Sequence, residues 1–174
     1  MTIIILNSEF LDNLIKDDTL KILKKNQRVL GNCNYYYNPS IGINLYKPKV
    51  KFLDKKFMVF EFEKYNHLAL LGLLKHINTV LKNITKNKFS ELFDKNIYDL
   101  FNEDDEKFMI RCYLPNYNGK YSIETDYGKF NLPRIGCCYD MATIEFRNIW
   151  KNGEKYGFNI ELKRIVTDSV KCLK

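Results

Sequence analysis

Three stretches of this chain place flat rings close to cations. Tyr35, Tyr36 and Tyr37 precede Lys47, Lys49 and Lys51; Arg111 and Tyr113 precede Tyr117 and Lys120; and Arg147, Trp150, Lys151, Lys155, Tyr156 and Lys163 follow one another closely. Such residues recognise a polyanion that carries flat groups: Lys and Arg neutralise phosphates, and aromatic faces stack on bases without demanding a particular sequence. The residues expected to make these contacts are Tyr36, Lys47, Lys49, Arg111, Tyr113, Arg147, Trp150, Lys155 and Lys163. Packing competes for the same side chains, because strands favour aromatics, and each ring taken singly is more often core than platform.

Other chemistry has less to stand on. Glu103, Asp104, Asp105 and Glu106 are consecutive and, joined by Glu124, Asp126 or Asp140, would suit a divalent metal and phosphoryl chemistry. Adjacent acids in a turn are usually just solvated, and no motif marks the others. His67 and His76 lack partners at ligand spacing, which leaves them helix-surface or packing roles. The eight glycines form neither a Walker nor a dinucleotide pattern, and no Gly-x-Ser-x-Gly elbow occurs. Cys33, Cys112, Cys137, Cys138 and Cys172 are odd in number without a Cys-x-x-Cys pair, so they are expected to be reduced thiols. The expectation is a protein that is not an enzyme and needs no cofactor or metal.

The elements that must position the rings and cations are mainly strands. Residues 140 to 167 read as a β-hairpin around Asn152-Gly153, with Ala142, Ile144, Phe146, Asn148 and Trp150 sharing one parity and Tyr156, Phe158, Ile160, Leu162, Arg164 and Val166 another. Residues 2 to 6 suggest a first strand. Ser8 is placed to cap a helix with Phe10, Leu11, Leu14 and Ile15 on one face, running as far as Lys25 with a break at residues 16 to 19. Residues 28 to 37 and 41 to 52 read as extended, joined by an Asn38-Pro39-Ser40 turn, with Pro48 marking an edge or bulge. Residues 56 to 64 alternate, with Met58, Phe60 and Phe62 inward. A long helix is expected over residues 66 to 83, from Leu70, Leu71, Leu74, Ile77 and Leu81, and a second over residues 88 to 101. Residues 107 to 114 and 120 to 125 complete the strands, with a turn at residues 126 to 129.

Composition agrees with one domain. The chain has 174 residues, 45% hydrophobic and 14% aromatic, enough for a sizeable core. Lys and Arg number 28 against 21 acids, a net charge of +7 that favours a polyanionic partner without proving one. The short apolar start has no basic leader, and no stretch has the length of a membrane span, so a soluble intracellular protein with no membrane partner is expected.

Two segments carry a resemblance. Residues 141 to 150, ending Ile149-Trp150, followed after a short turn by Lys155-Tyr156-Gly157-Phe158 and on to Ile165, resemble the closing strands of the single-stranded-DNA-binding proteins of large cytoplasmic DNA viruses and certain phages. Residues 43 to 49 are similar to an early strand of that family, with Lys47 standing where the family carries Thr. The resemblance implies an OB-type barrel with inserted helices and a role in viral genome replication or recombination, in host cytoplasm, viral factory or virion. Its members commonly end in an acidic tail that recruits replication partners, whereas this chain ends Lys171-Cys172-Leu173-Lys174.

Taken together, the expectation is an α+β, mainly antiparallel domain over residues 1 to 174: an OB-like, partly open barrel with a helical insertion at about residues 66 to 101. Single-stranded DNA is the expected ligand, with RNA, self-association and replication proteins left open as partners. The alternative is a viral structural or interaction module with the same fold and no nucleic acid. A metal-dependent nuclease ranks behind both.

Overall fold

The structure is a computed structural model, and it describes residues 2–20, 23–30, 33–88, 97–153 and 155–167, with the side chains of residues 21–40, 88 and 151 outside the description. Strand β1 (Ile3–Ile4) leads into helix α1 (Ser8–Lys16), then β2 (Leu23–Leu30), β3 (Cys33–Tyr46), β4 (Lys49–Leu53) and β5 (Phe57–Glu63). Helix α2 (Leu68–Lys88) is followed by β6 (Asn102–Glu103), β7 (Lys107–Tyr113), the small pair β8 (Asn116–Tyr117) and β9 (Lys120–Tyr121), and β10 (Glu124–Thr125). The long hairpin of β11 (Met141–Asn152) and β12 (Lys155–Val166) closes the order. The fold is α+β, with a mixed sheet whose pairings are mostly antiparallel. Among the described residues no helix is long and apolar enough to cross a membrane.

The main sheet runs β1-β3-β11-β12-β7-β5-β4. Two strands five places apart in this order are joined by very little chain, since only Lys47 and Pro48 separate β3 from β4. Five strand spacings of about 4.8 Å would set β3 and β4 roughly 24 Å apart in a flat sheet, yet three residue steps reach at most about 11 Å. The sheet must therefore curl. Residues 136 to 140 lie along β4 on their way into β11: Val50 N–H donates to Cys137 at 2.8 Å, Gly136 N–H to Val50 at 2.7 Å and Tyr139 N–H to Pro48 at 3.0 Å. No ladder joins β3 to β4 among the described residues, so the curled sheet is not a closed barrel.

The inner face carries Ile43, Leu45, Met58, Phe60, Phe108, Ile110, Ile144, Phe146 and Leu162, all fully buried. Leu71, Leu74, Ile77 and Leu81 of α2 join the same core, as their spacing of three and four residues requires. Residues 57 to 63 alternate as expected, with Met58, Phe60 and Phe62 inward. The α2 helix starts two residues after Asn66, because residues 64–66 form a 3-10 turn and the carbonyl of His67 accepts the first bond, from Leu71 N–H at 2.9 Å.

Several local expectations are corrected. Asn7, not Ser8, caps α1: its side-chain oxygen accepts from Phe10 N–H at 2.8 Å. That helix stops at Lys16, where Asp18 turns left-handed and Thr19 N–H reaches back to Leu14 at 3.0 Å, an ending typical of helices. Leu23 to Lys25 consequently belong to a strand. Asn38-Pro39-Ser40 is not a turn; it lies within β3, where these three residues face the single Arg147 and the ladder skips. A bulge spares Pro39 the hydrogen bond it cannot make. Of the second helix expected at residues 88 to 101, residues 89 to 96 lie outside the description, and residues 97 to 101 are not helical: Ile97 bridges Tyr156 in parallel, and Tyr98 N–H donates to Tyr156 at 2.8 Å.

The thiols also differ from expectation. Cys112 is a buried thiol, pushed up by that burial, and Cys138 is exposed and not disulfide-bonded, but Cys137 is disulfide-bonded. The uniformly reduced set is thus corrected at Cys137.

Candidate nucleic-acid interface

The hairpin is present, with Asn152 paired to Lys155 and Gly153 turning at φ +59°. The turn therefore begins at Gly153, and Asn152 is the last residue of its strand. Its alternation slips twice. Between Phe146 and Asn148 the extra residue is Arg147 on β11, and between Ile144 and Thr143 it is Lys163 on β12. Each slip reverses which residues face inward, so Ile149 is buried where unbroken alternation would have buried Trp150, and Ile165 is buried where it would have buried Arg164.

The bulges also decide the fate of Arg147 and Lys163. Both stand beside Glu145 and Glu161, which sit opposite each other across the hairpin. Lys163 Nζ lies 3.2 Å from Glu145 and 3.0 Å from Glu161, and Arg147 lies 3.6 Å from each. Glu145 is 1% exposed. A carboxylate so deeply buried is costly unless countercharged, so these two cations neutralise the protein's own acids. Lys47 is likewise paired with Asp140, at a left-handed bend with φ +51°. Lys49 is exposed on β4, outside the lining of the groove between β7 and β12, and its neighbour Lys51 pairs with Glu61 at 3.3 Å. Tyr36 pairs with Ile149 in the β3–β11 ladder, and its side chain lies outside the description.

The other four candidates meet. Strands β12 and β7 pair at only one position, Glu161 with Tyr113, and beyond it they separate to leave a groove of about 540 Å³. Alternation on β7 puts Phe108, Ile110 and Cys112 inside and Met109, Arg111 and Tyr113 outside, on the groove floor. Arg111 lies over the Phe57 ring, 3.7 Å from its centroid, and Tyr113 meets the same ring edge-on at 5.8 Å. Trp150 and Lys155 line the hairpin side. The indole lies against Gly157, directly across the ladder: a Cβ at that glycine would fall 2.5 Å from indole Cζ2. The indole also packs with Tyr98, at 5.9 Å between ring centroids and 29° between planes.

The groove's charge balance is positive. Among the described residues no carboxylate lies within ion-pair distance of Arg111 or Lys155, while Asp99, the acid on the groove wall, is held by Lys82 at 2.6 Å and Asn78 at 2.5 Å. Partial burial raises the Asp99 carboxyl, but those hydrogen bonds outweigh it and hold the group below its usual value.

Sequence reasoning missed Phe57, Tyr98 and Gly157. Gly157 was legible in principle, as a glycine placed across a hairpin from a tryptophan. Tyr98 was not, since a helix was expected there. The acidic run is structural: Glu103 bridges Lys64 and Lys75, each at 3.0 Å, and Asp104 accepts from the backbone of Glu106 and Lys107. Among the described residues no three His, Cys, Asp or Glu side chains gather to hold a metal. His76 ties α2 to Asp12 of α1 at 2.8 Å, and His67 Nδ1 donates to the Glu63 carbonyl at 3.0 Å. Compared with protein-family models and with curated proteins, the chain matches none.

Proposed function

We propose that this chain binds single-stranded DNA, with little regard to sequence, in the groove between β7 and the tip of the β11–β12 hairpin. One observation carries the reading: Arg111, Tyr113, Trp150 and Lys155, distant in sequence, line one groove, and among the described residues neither cation has a carboxylate within ion-pair distance. Cations beside rings suit a phosphate backbone with exposed bases. The finer fold reading, an OB-type Greek key, belongs to the same proposal. It draws support from the strand succession β4-β5-β7-β12-β11-β3, from the passage of β3 into β4 at Lys47-Pro48, and from the parallel contact of β7 with β12. Oligonucleotide-binding barrels of this type use their second and third strands and two flanking loops; here those are β5 and β7, residues 54 to 56 and the hairpin tip. On this reading the chain is not an enzyme, and its role is to protect or organise single strands during replication or recombination.

The test is anisotropy of a labelled oligo-dT across a salt series, with duplex DNA and single-stranded RNA in parallel. Salt-sensitive preference for the single strand is expected. The variant R111A/K155A should bind more weakly and with a salt slope shallower by roughly 1.4, about 0.7 for each lost phosphate contact. Absence of binding at low salt would overturn the reading and favour a protein-interaction module. That second reading has its own observation: Leu6, 71% exposed, and Tyr46, 63% exposed, line an apolar cleft of about 500 Å³ with Leu70 and Leu73.

A further inference from the structure

Tyr117 is 81% exposed, yet it stands on a rigid support. In the β8–β9 pair, Asn116 faces Tyr121 and Tyr117 faces Lys120. Asn118 and Gly119 both have positive φ, at 50° and 79°, the geometry of a tight two-residue hairpin turn. Asn116 closes that turn by accepting from Gly119 N–H at 2.9 Å. The hairpin is fastened from below: the Tyr121 ring packs edge-on against Phe130 at 5.3 Å, its hydroxyl donates to the Lys55 carbonyl at 3.3 Å, and Leu114 N–H donates to the Lys56 carbonyl at 2.7 Å. A large ring held out to solvent on a fixed hairpin loses little freedom on meeting a flat partner.

These fastenings place the hairpin and residues 54 to 56 at the Phe57 and Tyr113 end of the groove, since Phe57 follows Lys56 in the chain and Leu114 follows Tyr113. Lys55, Lys56 and Lys120 are exposed there, and among the described residues no carboxylate lies within ion-pair distance of any of them. The nearby acid, Asp54, accepts from the Lys56 and Phe57 backbone N–H groups at 2.6 and 2.7 Å.

We propose that the strand-binding track does not end at Tyr113 but continues onto this hairpin, where Tyr117 stacks on a base and Lys120 contacts a flanking phosphate. The inference rests on the single-strand reading of the groove and adds a second contact region to it. It requires an occupant longer than the groove alone can hold, which a length comparison detects.

Binding of oligo-dT of about four and about twelve nucleotides, the lower and middle range of site sizes for such folds, tests it. Y117A should weaken the longer oligonucleotide about fivefold or more and leave the shorter one unchanged, whereas Y117F, which keeps the ring, should bind both as the parent does. The variant K120A should flatten the salt slope on the longer oligonucleotide alone, by roughly 0.7. Unchanged binding of the longer oligonucleotide by Y117A and by K120A, or an equal loss on both lengths, overturns the extension while the groove reading stands. Failure of the parent protein to bind either length at low salt overturns the groove reading and the extension together.

Discussion

At the scale of single residues, charge partners separate ligand-facing cations from structural ones. Arg147 and Lys163 resemble Arg111 and Lys155 in type, but the first two face Glu145 and Glu161. K163A is therefore expected to lower stability by about 1 to 3 kcal/mol, by leaving Glu145 short of a countercharge, with unchanged DNA affinity per folded molecule. Urea denaturation alongside anisotropy reads both, and a stable K163A that binds DNA poorly would reverse the assignment. Gly157 makes a second test. Any side chain there must displace the indole, so G157A should shift the emission of Trp150, the chain's sole tryptophan, and weaken binding. An unshifted spectrum would mean that the ring does not rest on the glycine.

At the scale of elements, the groove exists because one pair of strands parts and another segment comes in beside the hairpin. Ile97 and Tyr98 take the place next to Tyr156 that β7 has left, and α2 holds the continuation through Asn78, which also accepts from Leu100 N–H at 3.1 Å. The Asp99 carboxyl, kept below its usual value, ties this segment to the helix. A depressed folded-state value means that the stabilisation is full above the ordinary carboxyl range and fades as pH falls through the lowered one. D99N should accordingly be less stable than the parent at neutral pH, and the two should converge as pH falls well below the ordinary carboxyl range. Thermal midpoints at neutral pH and at that low pH check it; a constant difference would place the effect in packing.

At the scale of the whole molecule, helix and sheet share one core. Leu74 of α2 is buried in the cluster that contains Phe60, Phe108 and Leu162. L74A should cost about 2 to 5 kcal/mol, and far- and near-ultraviolet dichroism should report the same unfolding midpoint, as one cooperative unit requires. Two separated transitions would show that α2 unfolds apart from the sheet. The curl itself follows from chain connectivity, because Lys47 and Pro48 are too few residues to span a flat sheet.

The sequence by itself determined the features whose physics is local. The inward row of Met58, Phe60 and Phe62, the long amphipathic helix and the hairpin about Gly153 are all legible, because periodicity and turn geometry act over a few residues. Only the tertiary structure decided the rest. A bulge is a mismatch between two strands, so no reading of β11 alone could tell that Arg147 would interrupt it and turn Ile149 inward. Whether a lysine is countercharged depends on which carboxylate folding brings near, and that gave Lys47 to Asp140 and Lys163 to Glu145 and Glu161. The groove depends on where β12 leaves β7 and on Tyr98 arriving beside Trp150, long-range placements that spacing along the chain does not encode.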